Sequence, residues 1–62
     1  MIQIDDIQYV EASGKTQFRC TFNQSGYQII FDSSLPGDLN QQQITAEMQD
    51  EYQRWIERND IP

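Results

Sequence analysis

The sequence predicts an α+β domain: a three-stranded antiparallel β-meander with one C-terminal α-helix packed on a face, in the order βββα. Three observations carry this. Residues 1–32 hold apolar side chains at strand spacing. Two turn signals, Ala12-Ser13-Gly14-Lys15 and Asn23-Gln24-Ser25-Gly26, divide that stretch into runs joined by short links, and short links favour antiparallel neighbours. The last third repeats apolar residues at helical spacing instead.

The first strand is expected around Ile7, Tyr9 and Val10, with Ile2 and Ile4 alternating ahead of it. The alternation slips at Asp5-Asp6, which predicts a bulge or bend there. The second strand, Thr16 to Phe22, has the cleanest pattern: Phe18, Cys20 and Phe22 face the core, and Gln17, Arg19 and Thr21 face solvent. Gly26 supplies positive φ for the second turn. The third strand, Tyr27 to Phe31, puts Tyr27, Ile29 and Phe31 on one face and Ile30 on the other.

A loop is expected over 33–44, because Asp32-Ser33-Ser34 and Pro36-Gly37-Asp38 are turn formers and Gln41-Gln42-Gln43 is polar. The helix is expected over 45–58, with Thr45 as N-cap and Asn59 ending it before Pro62. Met48, Tyr52, Trp55 and Ile56 form its apolar stripe, which Ile44 extends. Glu47, Asp50 and Glu51 precede Arg54 and Arg58, an order that complements the helix dipole, and Asp50–Arg54 is an i,i+4 pair. The expected core is Tyr9 or Val10 with Phe18, Cys20, Phe22, Ile29, Met48, Tyr52 and Trp55.

Residues 1–62 make a single small domain, and such a domain buries only about 60% of its unfolded surface. Stability then often comes from a partner or from further copies of the chain. Ten acidic and four basic residues give a formal charge of −6. The basic residues Lys15, Arg19, Arg54 and Arg58 are scattered, whereas phosphate binding needs them clustered. Direct nucleic-acid binding and anionic membrane surfaces are therefore disfavoured. The charge keeps a small protein soluble and suits a basic partner. The longest apolar run is Ile29-Ile30-Phe31, far short of the roughly 18 residues a membrane helix needs. The start, Met1-Ile2-Gln3-Ile4-Asp5-Asp6, does not read as a secretory signal.

Chemistry-bearing sets are sparse. There is no histidine, the commonest general base and metal ligand. Cys20, between two Phe residues on an apolar face, reads as a buried structural thiol. Asp5 and Asp6 are adjacent on a strand and so point to opposite faces. The 32–38 loop lacks regular ligand spacing for a cation. Ser13-Gly14-Lys15-Thr16 has Tyr9 where a phosphate loop needs its first glycine, and a strand follows rather than a helix. No cofactor, metal, small-molecule substrate or enzymatic activity is expected. The candidate contacts with other proteins are Tyr52, Trp55 and Ile56 on the helix and Arg19, Gln17 and Gln28 on a flat polar sheet face.

Tyr52, Trp55, Ile56, Asn59 and Pro62 follow one another as Tyr-x-x-Trp-aliphatic, then Asn-x-x-Pro. This segment resembles one in small proteins from the tail regions of tailed bacteriophages. Arg58 stands where that pattern often has Gly, and the Pro-rich acidic tail that often follows is not in this sequence. The resemblance implies a non-enzymatic structural or assembly protein of a tail or baseplate, working by protein–protein docking or self-association in a virion or the host cytoplasm. The acidic charge supports a second expectation, a small inhibitor that covers a basic surface of a host enzyme or defence nuclease.

Overall fold

The computed structural model describes all 62 residues and has the expected βββα architecture. The strands are β1 (Ile2–Val10), β2 (Lys15–Gln24) and β3 (Tyr27–Pro36), followed by helix α1 (Gln41–Arg58). They form one antiparallel sheet in the order β1-β2-β3. Ten-residue strands span about 33 Å, which makes the molecule elongated at 40 × 17 × 16 Å.

The expected irregularity in β1 is present. Asp5 pairs with Arg19 and Gln8 with Gln17, so Asp6 and Ile7 together oppose Phe18 alone. Asp6 takes φ 54°, the left-handed conformation that lets one strand hold the extra residue. Lys15 belongs to β2 rather than to the first turn, which is closed by the Gly14 amide donating to the Val10 carbonyl at 2.9 Å. The second hairpin is tighter than expected. Gln24 pairs with Tyr27, leaving Ser25 (φ 53°) and Gly26 (φ 84°) as a two-residue turn. Positive φ at both positions is the type I′ pattern, whose twist matches that of the flanking strands.

Two boundaries differ from the sequence expectation. β3 continues to Pro36 instead of ending at Phe31. The turn formers Asp32, Ser33 and Ser34 are extended because β2 offers each a ladder partner: Arg19, Phe18 and Gln17. Leu35 continues the core-facing alternation and packs against the core. The helix starts at Gln41, so the expected 33–44 loop shrinks to residues 37–40. Its N-cap is Asn40, not Thr45. The Asn40 side chain accepts from the Gln43 amide at 2.9 Å, and the Gln43 side chain accepts from the Asn40 amide at 3.0 Å. This reciprocal capping satisfies two amides that a bare helix end leaves unpaired. Thr45 lies inside the helix, its hydroxyl bonded to the Gln41 carbonyl. Glu47, Asp50 and Glu51 consequently fall beyond the first turn, which holds no acidic residue, and the dipole effect fades within that turn. Arg54 pairs with Glu51 at 2.6 Å rather than with Asp50.

The helix ends as the sequence suggests, with Asn59 as C-cap. Asp60 follows at φ 50° and its amide bonds to Glu57, while the Ile61 amide bonds to Ile56 at 3.0 Å. This is a Schellman closure, and it turns Ile61 inward to 7% exposure.

The core lies between α1 and one face of the sheet. It contains Ile4, Phe18, Cys20, Phe22, Ile44, Met48 and Tyr52. Trp55, Ile56, Phe31 and Leu35 pack against it half-buried. Phe18, Cys20, Phe22, Met48 and Tyr52 are core as expected. Tyr9 and Ile29 are each 41% exposed and Val10 is only half-buried, because one helix does not cover the whole face. Thr21, on the outer face, is nonetheless buried in the central strand between Gln3 and Ile30.

Ile4, Ile44 and Ile61 join the core beyond expectation, and Thr16 is the other buried polar residue. Fully buried, its hydroxyl donates to the Gly37 carbonyl at 2.5 Å and accepts from the Leu39 amide at 3.0 Å. It therefore clamps the crossing from β3 to α1.

Two substitution sets check these assignments by urea unfolding. Asn40→Ala should cost about 1 kcal/mol, while Thr45→Ala should be neutral or stabilising by up to ~0.5 kcal/mol, since alanine is the better helix former. Thr16→Val should cost about 1–2 kcal/mol, because it keeps the volume and removes the partner of two part-buried backbone groups.

Candidate surface for protein docking

The six candidate contact residues separate into two groups. Tyr52 is buried at 7% exposure. Its ring meets Phe22 edge-on at 5.3 Å between centroids. Its hydroxyl lies 2.9 Å from the Asn23 carbonyl and 2.7 Å from the Gln24 amide oxygen, and it accepts a hydrogen bond from the Met1 ammonium. Trp55 leans on Phe22 at 5.7 Å and stacks on Tyr52 at 6.0 Å. Trp55 and Ile56 are half-buried against the core. These three residues hold α1 to the sheet, and only Trp55 and Ile56 keep part of their surface outward.

Gln17, Arg19 and Gln28 are exposed on the sheet face away from α1. Gln17 and Arg19 are two residues apart on β2, so they share that face. Sharing a face does not make Arg19 and Gln28 neighbours across the strands. The bulge and the long β3 instead place Asp5 and Asp32 beside Arg19, Gln8 beside Gln17, and Gln28 beside Asn23. Arg19 Nε donates to Asp32 Oδ1 at 2.9 Å, and Asp6 approaches Nη1 at 3.5 Å. The Asp32 hydrogen bond, then the Asp32 and Asp6 charges, hold the guanidinium above its ordinary pKa. Asp6, Gln17, Arg19, Asp32 and Ser34 rim a shallow depression over Phe18. Its polar rim suits hydrogen bonding to another protein more than enclosure of a small molecule. No three Cys, Asp or Glu side chains are grouped to hold a metal ion.

The residues that sequence reasoning passed over are apolar. Tyr27 is 56%, Ile29 41% and Ile30 57% exposed. All three lie in the first half of β3, which is an edge strand. Their apolar character was visible in the sequence, but reading Ile29 as core concealed their exposure. Isolated exposed apolar residues are ordinary, whereas several on one sheet edge mark a contact surface.

Cys20 is fully buried, and desolvation pushes its thiol up to about 11. A thiol held protonated is a poor nucleophile. No helix is long and apolar enough to cross a membrane. No protein-family model, curated protein sequence or solved structure matches the chain, so the surface itself carries the functional argument.

The raised thiol pKa links stability to pH. The folded state keeps the proton that the unfolded chain releases above its ordinary value of 9.0. Stability therefore falls as pH rises from 9.0 towards 11, by up to about 2–3 kcal/mol. Cys20→Ala should be less stable at pH 7 and should lack this share of the alkaline loss. Urea unfolding of both proteins across that range measures the difference.

Proposed function

We propose that the chain is a non-enzymatic assembly protein that docks to other protein through the β3 side of its sheet. The observation that carries this reading is the clustering of exposed Tyr27, Ile29 and Ile30 on an edge strand. That edge supplies main-chain hydrogen bonds for strand addition, and alternate side chains supply selectivity. Gln28 lies within the same stretch, and Gln17 and Arg19 extend the polar outer face beside it. Trp55 and Ile56 offer a smaller apolar contact from the helix. The lack of histidine and the protonated Cys20 thiol support a role without catalysis.

The C-terminal resemblance supports a tailed-phage tail or baseplate as the setting, with the virion or host cytoplasm as the location. Quantitative mass spectrometry of purified phage particles encoding the chain tests this. A fixed copy number per particle is the expected result. Presence only in the lysate of infected cells overturns the structural role.

The net charge of −6 favours a second reading, inhibition of a basic host enzyme or defence nuclease. An inhibitor of that kind associates with its target at a rate that falls steeply as salt rises. An on-rate indifferent to salt sinks it.

A further inference from the structure

The two edges of the sheet are not alike. β1 is blunted by its bulge at Asp6 and Ile7 and carries Asp5 and Asp6, features that discourage pairing. From Tyr27 to Phe31, β3 has no charge, proline or bulge.

The direction of the β3 backbone groups follows from the ladder. Hydrogen-bonded and non-hydrogen-bonded pairs alternate along an antiparallel pair. The Gly37 amide donates to the Gly14 carbonyl at 2.8 Å, and the Asn23 amide donates to Met1 on the β1 side at 2.9 Å. Odd-numbered residues of β3 therefore bond to β2, and the amides and carbonyls of Gln28, Ile30, Asp32 and Ser34 point away from it. Pro36 fits the same phase, since its missing N–H falls on the open side.

We propose that this edge pairs with β3 of a second copy, antiparallel about a two-fold axis at Ile30, giving a continuous six-stranded sheet. This deepens the docking reading above by naming the partner. In this register Ile30 opposes Ile30, and Ile29 opposes Phe31 of the second copy, so half-exposed apolar side chains cover one another. Gln28 opposes Asp32 of the second copy, an amide donor facing a carboxylate. A two-fold axis at Asp32 would instead set like charges against each other, and one at Ile29 would set Ile30 against Gln28. The selected register matches apolar with apolar at Ile29, Ile30 and Phe31 and polar with charged at Gln28 and Asp32, while the Tyr27 ring lies over Ser33 of the second copy. Because the pairing is isologous and β1 is blunted, it closes at a dimer and does not propagate into a fibre.

Sedimentation equilibrium and amide hydrogen exchange test the proposal on the full chain. The expected mass is that of a dimer of 7.3 kDa chains, with the Gln28, Ile30 and Asp32 amides slowing as concentration rises and the Ile29 and Phe31 amides protected throughout. Ile30→Lys should give a folded monomer by circular dichroism, since Ile30 is 57% exposed in the single chain. Gln28→Lys should tighten the dimer and Gln28→Glu should weaken it, each by roughly 2- to 30-fold in dissociation constant. A monomer up to about millimolar concentration, well beyond the range of specific association, overturns the proposal. A dimer whose Ile30 amide exchanges freely, or one indifferent to the sign of charge at 28, overturns it equally. A monomer that binds a different protein through β3 would reject self-pairing and leave the docking reading standing. A dimer missing from phage particles would leave self-pairing standing and reject the virion role.

Discussion

The fold turns on Phe22. Its ring lies within 5.2 Å of Phe31, 5.3 Å of Tyr52 and 5.7 Å of Trp55, centroid to centroid. One side chain from the central strand thus joins β2, β3 and α1. The Phe31 and Tyr52 contacts are edge-to-face, the arrangement the aromatic quadrupole favours. Ten of the 62 residues are buried, so few other groups can perform the same task. A sheet this small needs a helix over one face to persist in water, and the Phe22 cluster fastens that helix in place.

Polar contacts at the two ends of β2 set the direction of the helix. At one end Thr16 receives the chain as it leaves β3, bonding Gly37 and Leu39. At the other end the Tyr52 hydroxyl meets Asn23 and Gln24, and Pro62 accepts from Ser25 at 2.7 Å. The helix consequently lies over the β1 side of the sheet, running from the Thr16 end of β2 towards its Gln24 end. No buried side-chain polar atom lacks a partner, which is what a core this thin requires, since an unpaired group costs about 1–3 kcal/mol. One helix lying this way leaves Ile29 and Tyr27 uncovered, and the uncovered strip is also the open edge. The same constraint that completes the core therefore creates the surface for docking.

The candidate surface was legible in part. Alternation in β2 placed Gln17 and Arg19 together on the outer face, because side-chain direction follows from strand periodicity alone. The partners across from them were not legible, because one extra residue in β1 changes every pairing beyond it. Tyr52, Trp55, Ile56 and Asn59, which carry the C-terminal resemblance, each have work inside the fold: packing by the first three and C-capping by Asn59. Their spacing is what an amphipathic helix with an abrupt stop demands. An edge at β3 follows from the expected meander; what escaped notice was the exposure of Ile29, because the position of the helix, not sequence spacing, decides which part of the face is covered.

Sequence alone determined the element order, an irregularity in β1 beginning at Asp5-Asp6, the apolar face of β2, the helical stripe and the stop at Asn59. Each depends on residues near one another in the chain, where periodicity and backbone preference act directly. Tertiary structure decided how far β3 runs and which apolar side chains stay outside. It also decided where the helix begins, even though the Asn40–Gln43 signature was present in the sequence. Asp32 to Ser34 extend because β2 supplies ladder partners, and the first helical turn forms over Gln41 to Gln43 because Ile44 is fully buried in the core. Those outcomes rest on contacts between distant segments, and their free energy exceeds the few tenths of a kcal/mol by which local propensity favours a turn or a loop.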